Sequence, residues 1–284
     1  RTPMTTIREA DLIATVAEEG EGNLRGARAW FDAAEQHGVR PFAAIAIDGP
    51  GDETIVHHAV GSYRLRVSVH GTGGHSWVHA DAAKPIHVLG EFIARAARLG
   101  DARRRDAVVH ITRMHGGESL TAIPRHGWVD VDLRGTSAAH LERVRRDLIR
   151  LVHELTPSAL RADITSLGDR PAGSLDHSHA LVRAAVAATE AVSCTPRSAT
   201  ASTDANIPLS RGIPAIAIGA GGTGGGAHTQ AEWYDDTNGA RGLERLVRVV
   251  LGGAAGGGGT GTGGTASGGT AFGGTANGGT ANGD

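Results

Sequence analysis

The sequence predicts an α/β domain into which a ferredoxin-like α+β unit is inserted. Three observations carry this expectation. Short apolar runs alternate with helical periods at both ends of the chain, the middle third alternates residue by residue, and the elements of that middle third follow the order βαββαβ. The first apolar run, Asp11 to Ala17, suits a buried strand and is followed by a glycine turn and a helical stretch from Asn23 to His37. Pro41 to Asp48 is a second buried strand that ends in a carboxylate. From Ser62 to His70, Tyr63, Leu65, Val67 and Val69 share one face of a strand, with Arg64, Arg66, Ser68 and His70 on the other. A helix from Asp81 to Leu99 comes next, then strands over Ala107 to His115 and Arg125 to Arg134. Leu141, Val144, Leu148, Leu151, Val152 and Leu155 have helical spacing, and a strand near Leu160 to Thr165 completes the middle third. The opening pattern then returns, as a helix over Leu175 to Val192, a buried strand over Ile213 to Ile218 and a helix over Asn238 to Leu251.

Composition narrows the class. The chain has 284 residues, a formal net charge of -2 and one cysteine. A near-neutral chain lacks the basic surface that nucleic-acid binding by counterion release requires, so no nucleic-acid partner is expected. Cys194 alone forms neither an intramolecular disulfide nor a thiolate zinc cage, and the expected compartment is the reducing cytoplasm. No apolar run approaches the roughly 18 residues of a membrane span. Glycine is concentrated at the C-terminal end, where pentads such as GGTAN from Gly273 repeat; residues 252–284 are expected to be a flexible tail.

The residues that suit chemistry fall where apolar strands are expected to end. In open α/β sheets ligands gather at the carboxyl ends of strands. Glu18 and Glu19 occupy that position after the first run, Asp48 after the second, and His228, in a glycine-rich loop, after the last. Carboxylates held together repel and call for a cation, and a mixture of Glu, Asp and His suits zinc, cobalt or manganese. His75 lies in the glycine-rich HGTGGHSW, which lacks the Gly-Lys-Ser/Thr ending of a phosphate loop.

Taken together, EEGEGNLRG, GGHSW, IPRHGWVDVDLR, STDANIP and GGAHTQAEWYD resemble, in order, motifs of the dinuclear-zinc hydrolase family that includes peptidase T, carboxypeptidase G, acetylornithine deacetylase and succinyl-diaminopimelate desuccinylase. The Trp after GGHS and the EWYD ending look most like its tripeptide-aminopeptidase-like members. The resemblance implies a zinc-peptidase-like catalytic domain in two parts, residues 1–60 and 167–251, around a lid and dimerisation domain of residues 61–166. It implies Glu18 as general base, Glu19 and His228 as ligands of one metal, Asp48 as ligand of the other, and His75 reaching across a homodimer to polarise the scissile carbonyl. Arg134 would hold a substrate carboxylate, with Thr203, Asp204 and Asn206 lining the pocket and Thr121 standing where the family has Asn. The implied substrate is a short peptide or an N-acyl amino acid. The family's His-x-Asp motif and bridging Asp precede the paired glutamates, and neither is among the 17 residues before Glu18. An N-terminally truncated catalytic domain with weak metal binding and little turnover is therefore expected. A non-catalytic dimerising fragment is the alternative.

Overall fold

The fold was obtained as a computed structural model that describes residues 9–100 and 107–256. In chain order its helices are α1 (Arg25–Gln36), α2 (Pro85–Ala96), α3 (Ala138–Leu155), α4 (Ala180–Ala191), α5 (Asn206–Ser210) and α6 (Gly239–Gly256). Its strands are β1 (Ala44–Ile47), β2 (Thr54–Ala59), β3 (Gly61–His70), β4 (Gly74–His75), β5 (Val108–Gly116), β6 (Ala122–Ile123) and β7 (His126–Gly135). They continue with β8 (Arg161–Arg170), β9 (Gly173–Ser174), β10 (Arg197–Ala201), β11 (Ala215–Ile218), β12 (Thr223–Gly225) and β13 (Trp233–Asp235). The helix α6 runs five residues into the stretch expected as tail; the rest of that stretch lies outside the described residues.

The first sheet has the order β1-β11-β2-β10, with β9 on the end of β2. It is mixed, since β11 runs parallel to β1 and antiparallel to β2. The alternation Ala-Ile-Ala-Ile in β11 explains its two faces. Ile216 and Ile218 join Ile55 in packing on α4 and α6, while Ala215 and Ala217 face the side of Ala205 and Leu209 near α5. Leu24, Ala27 and Phe31 of the α1 region pack with Ile207 and Ile213. Helices thus cover both faces.

The second sheet, β5-β7-β3-β8, is antiparallel throughout. One face, Leu65, Val67, Val69, Val129, Val131 and Leu133, is covered by α2 and α3 through residues such as Leu89, Phe92, Leu148 and Val152. The other face is polar. Asp130, 2% exposed, accepts from Arg66 Nε and Nη2 at 2.7 and 2.9 Å and from Arg113 Nε at 2.7 Å, and the Arg66 guanidinium lies 3.8 Å over Trp128. The Arg66 hydrogen bonds hold the Asp130 carboxyl below its usual range against the opposing effect of burial. A depressed folded-state pKa contributes stability that is complete above the unfolded value near about 4 and is lost as pH falls through the folded value. Asp130→Asn is therefore expected to cost about 2 kcal/mol at pH 7. Urea titrations at several pH values should show that deficit narrowing only below about pH 4; a deficit independent of pH contradicts the ion-pair explanation.

The structure corrects one expected strand. Asp11 to Ala17 forms no ladder, and Leu12 and Val16 are 95% and 68% exposed. An apolar run becomes a strand only beside a partner, and the β1 edge pairs with β11 alone among the described strands. The carbonyls of this segment instead cap α1, whose N-cap Leu24 offers no side-chain acceptor: Gly26 N donates to Val16 O at 2.9 Å and Arg25 N to Ala17 O at 3.3 Å. Two helix starts also shift, to Pro85 and Ala180.

Chain passes between the sheets twice, at Val60 and at Pro171, and one side chain ties both crossings. Asn206, fully buried, donates through Nδ2 to Val60 O at 2.8 Å and Pro171 O at 2.9 Å, while its Oδ1 accepts from Thr203 N at 2.9 Å.

Candidate functional site

The paired glutamates stand at a tight turn, with Gly20–Gly22 forming one turn of 3-10 helix after Glu19. The glycines that follow have a packing cause. A Cβ on Gly22 would lie 2.5 Å from Ala17 O, and one on Gly26 2.5 Å from Val16 N, because the incoming chain crosses directly over the start of α1. This crossing presents Glu18 toward the end of β8, where Arg170 is 5% exposed. Arg170 Nη1 donates to Glu18 Oε1 at 3.1 Å and to Ser202 Oγ at 3.2 Å, and Nη2 donates to Glu18 O at 2.6 Å.

Asp48 follows β1, its N–H donating to Ile218 O at 2.9 Å, so the end of the sheet delivers it to the same region. Asp204 arrives from the loop before α5, where Thr15 Oγ1 donates to its Oδ2 at 2.6 Å and its buried Oδ1 has no hydrogen-bond partner. His228 completes the group, with Nδ1 4.0 Å from Glu19 Oε2. Its φ of 64° places a non-glycine residue in the left-handed region, a strain of the kind that collects at functional sites.

The carboxylates sense one another. Burial pushes the Glu18 carboxyl above its usual range; Arg170 pulls it down, and Glu19, Asp48 and Asp204 push it up again. Asp48 is likewise raised, first by burial and then by Glu19 and Asp204, against the lowering effects of Arg170 and His228. Such a group attracts a proton or a divalent cation. The donor types fit a zinc-class ion, and Asp204 Oδ1 is an orphaned acceptor beside them. Two ligands of a tetrahedral ion stand about 3.3 Å apart, so Glu19 and His228 approach that spacing without reaching it. Among the described residues no three His, Cys, Asp or Glu side chains close a shell.

The other expected residues fall into two further places. His75 ends β4, which pairs with β6, and Thr121 O accepts from Ser76 N at 2.9 Å, so His75 and Thr121 share one hairpin-like corner. His75 Nδ1 accepts from the Trp77 and Val78 amides at 3.2 and 3.4 Å, and no hydrogen bond or ion pair joins it to Glu18 among the described residues. Arg134 lies on the polar face of the second sheet, with Nε donating to Asp132 Oδ2 at 2.7 Å; Arg64, beside the same aspartate, donates to Gly20 O at 2.6 Å and links that face to the glutamate turn. Thr203 Oγ1 accepts from Ala205 N at 3.2 Å and, with the Asn206 contacts above, shapes the Asp204 loop from within. Arg170 is the residue that sequence reasoning missed. A lone arginine before Pro171 carries no spacing signal, and the strand expected near Leu160 to Thr165 stops short of it, whereas β8 runs on to Arg170.

No curated protein matches the chain. Most of the chain is similar in arrangement to solved structures, which at these identities speak to the fold. Aminopeptidase PepT from Bacillus cereus superposes with a TM-score of 0.70 and 20% identity over 84% of this chain and 63% of that one. A tripeptidase from Staphylococcus aureus gives 0.69 and 18% over the same shares. The YxeP protein of Bacillus subtilis, described as a dinuclear metal binding peptidase, gives 0.61 and 18% over 82% of this chain and 63% of that one. The chain thus spans under two thirds of the length of these relatives. The sequence model described as Peptidase family M20/M25/M40 matches residues 5–252, most of the chain, and the chain belongs to that family.

Proposed function

We propose that this chain carries the site of a metal-dependent hydrolase that cleaves amide bonds of short peptides in the aminopeptidase or dipeptidase manner. The observation that supports it is the convergence of Glu18, Glu19, Asp48, Asp204 and His228 at one end of the first sheet. Glu19 and His228 would hold one ion and Asp48 a second, with zinc, cobalt or manganese fitting the donors. A bound ion of this class supplies Lewis acidity. Glu18 takes the proton of the attacking water and passes it to the leaving amine. Its partly buried setting, which favours holding a proton, and the Arg170 anchor suit it to that exchange.

In this reading the second sheet with α2 and α3 is a lid that begins at Gly61 and closes with β8 at Arg170, slightly beyond the sequence boundary of 166. The lid pairs two copies into a homodimer, and His75, with Thr121 beside it, acts in the site of the other copy. Arg134 meets a substrate carboxylate, Thr203 and Asp204 line the pocket wall, and Asn206 acts on them from beneath. The single Cys194 supports a cytoplasmic setting. The open metal shell favours one competing reading, a dimerising module without chemistry.

Release of amino acids from Ala-Ala and Ala-Ala-Ala, compared with deacylation of N-acetylalanine at saturating zinc, tests the assignment. Faster cleavage of the peptides is expected. Preference for the N-acyl compound reassigns the substrate, and hydrolysis of neither leaves the dimerising module.

A further inference from the structure

The first sheet ends on β1, whose outer side is unpaired among the described strands. β1 and β11 run parallel, and the amides of Ala44 and Asp48 donate to Pro214 O and Ile218 O on the β11 side, each at 2.9 Å. In a parallel ladder alternate residues bond to the neighbouring strand, so the N–H and C=O groups of Ile45 and Ile47 point out from the sheet edge. An open edge of this kind is a template for another strand.

A bare apolar stripe of α6 borders that edge. Arg245 Nε donates to Thr189 Oγ1 of α4 at 2.9 Å, and a Cβ on Gly252 would lie 3.2 Å from Ala184 Cβ, so this side of α6 is turned to α4. Leu243, Val247 and Leu251, spaced by four, lie on the opposite side of the helix and are 62%, 49% and 51% exposed. Since α4 packs on β2 and β11, the side of α6 away from α4 is the side of β1. Ile45 packs into the cluster that holds Val249 of α6, and Ile47, two residues on, shares its face and is 53% exposed. Edge and stripe thus form one surface that offers both backbone groups and large apolar side chains.

We propose that this surface binds a second copy of the chain, joining two first sheets edge to edge across a two-fold axis. The surface complements itself, as such an axis requires. With the two α6 helices antiparallel about Val247, Leu243 packs on Leu251 of the second copy. Glu244 and Arg248, paired at 2.7 Å on the solvent side of the stripe, then each meet the opposite charge across the axis. An axis perpendicular to the sheet also sets β1 antiparallel to its copy, where Ile45 faces Ile47 of the second copy and the outward N–H and C=O groups bond to one another. This pairing uses the first sheet, is separate from pairing through the lid, and does not depend on the hydrolase reading.

Light scattering of the full chain and of Val247→Glu, which sets two like charges against each other on the axis, is the first test. The variant is expected to have half the particle mass of the parent at the same micromolar concentration. Cross-linking is the second test and serves if Val247→Glu fails to fold. In a Cys194→Ser background, mild oxidation of Val247→Cys should give a disulfide-linked dimer, because the axis brings the two 247 positions together. Glu190→Cys, on the exposed side of α4, should stay unlinked under the same oxidation. Pairing through the lid alone leaves position 247 unlinked, which tells the two modes apart. A monomeric parent, a folded Val247→Glu with the parent's mass, or no more cross-linking at 247 than at 190 overturns the proposal.

Discussion

Glu18→Gln is expected to lower kcat for a di- or tripeptide by about 10²- to 10⁴-fold, the range that loss of a positioned general base produces. The amide keeps the shape of the side chain and an oxygen for Arg170 Nη1, and the bond from Arg170 Nη2 to the Glu18 carbonyl is untouched. What disappears is the capacity to accept a proton at a place where burial and three neighbouring carboxylates favour protonation. KM should change little, since in the proposed mechanism Glu18 acts on the attacking water. A melting curve for the variant separates loss of chemistry from loss of fold. Activity within threefold of the parent, in a folded variant, would remove Glu18 from the mechanism.

Asn206→Asp is expected to be the most destabilising isosteric change in the molecule, at roughly 3–5 kcal/mol, because it removes both donors to Val60 and Pro171 in a fully buried place. The two carbonyls lose their partner and face a carboxylate instead. Both crossings between the sheets depend on this side chain, so the loss should reach Asp204 as well, whose loop is pinned by Asn206 Oδ1 through Thr203 N. Urea denaturation of parent and variant measures the effect. A midpoint shift worth less than about 1 kcal/mol would show that the crossings hold without it.

Much of the fold is legible in the chain because packing follows local pattern. The strict alternation of β3 and the helical spacing of Leu141 to Leu155 place those residues in one core. The Ala-Ile-Ala-Ile runs of β1 and β11 are equally readable and lie side by side in register. The strand β2 escapes notice because Thr54–Ala59 is polar at His57 and His58, and a shift in register against β10 falls beside them. Its neighbour β10, Arg197–Ala201, is short and has no large apolar residue. Asp11 to Ala17 misleads for the opposite reason: it is apolar enough for a strand, and hydrophobicity does not report whether a partner strand lies alongside.

The site shows the same division. Glu18, Glu19, Asp48 and His228 are readable because each is a polar residue placed where an apolar run meets a turn. Asn206 belongs to a recognisable motif, yet its task depends on carbonyls 146 and 35 residues away, which no local pattern reveals. Arg170 is hidden in the same way, since its partner Glu18 is 152 residues distant.

Glu19 and His228 are proposed to form the metal-binding edge of a hydrolytic site. Calorimetric titration of the chain with zinc at pH 7, repeated with Glu19→Gln and His228→Ala, tests it most directly. Weak binding that each substitution abolishes is the expected result. Zinc binding that survives both substitutions, or no zinc binding by the parent chain, contradicts it.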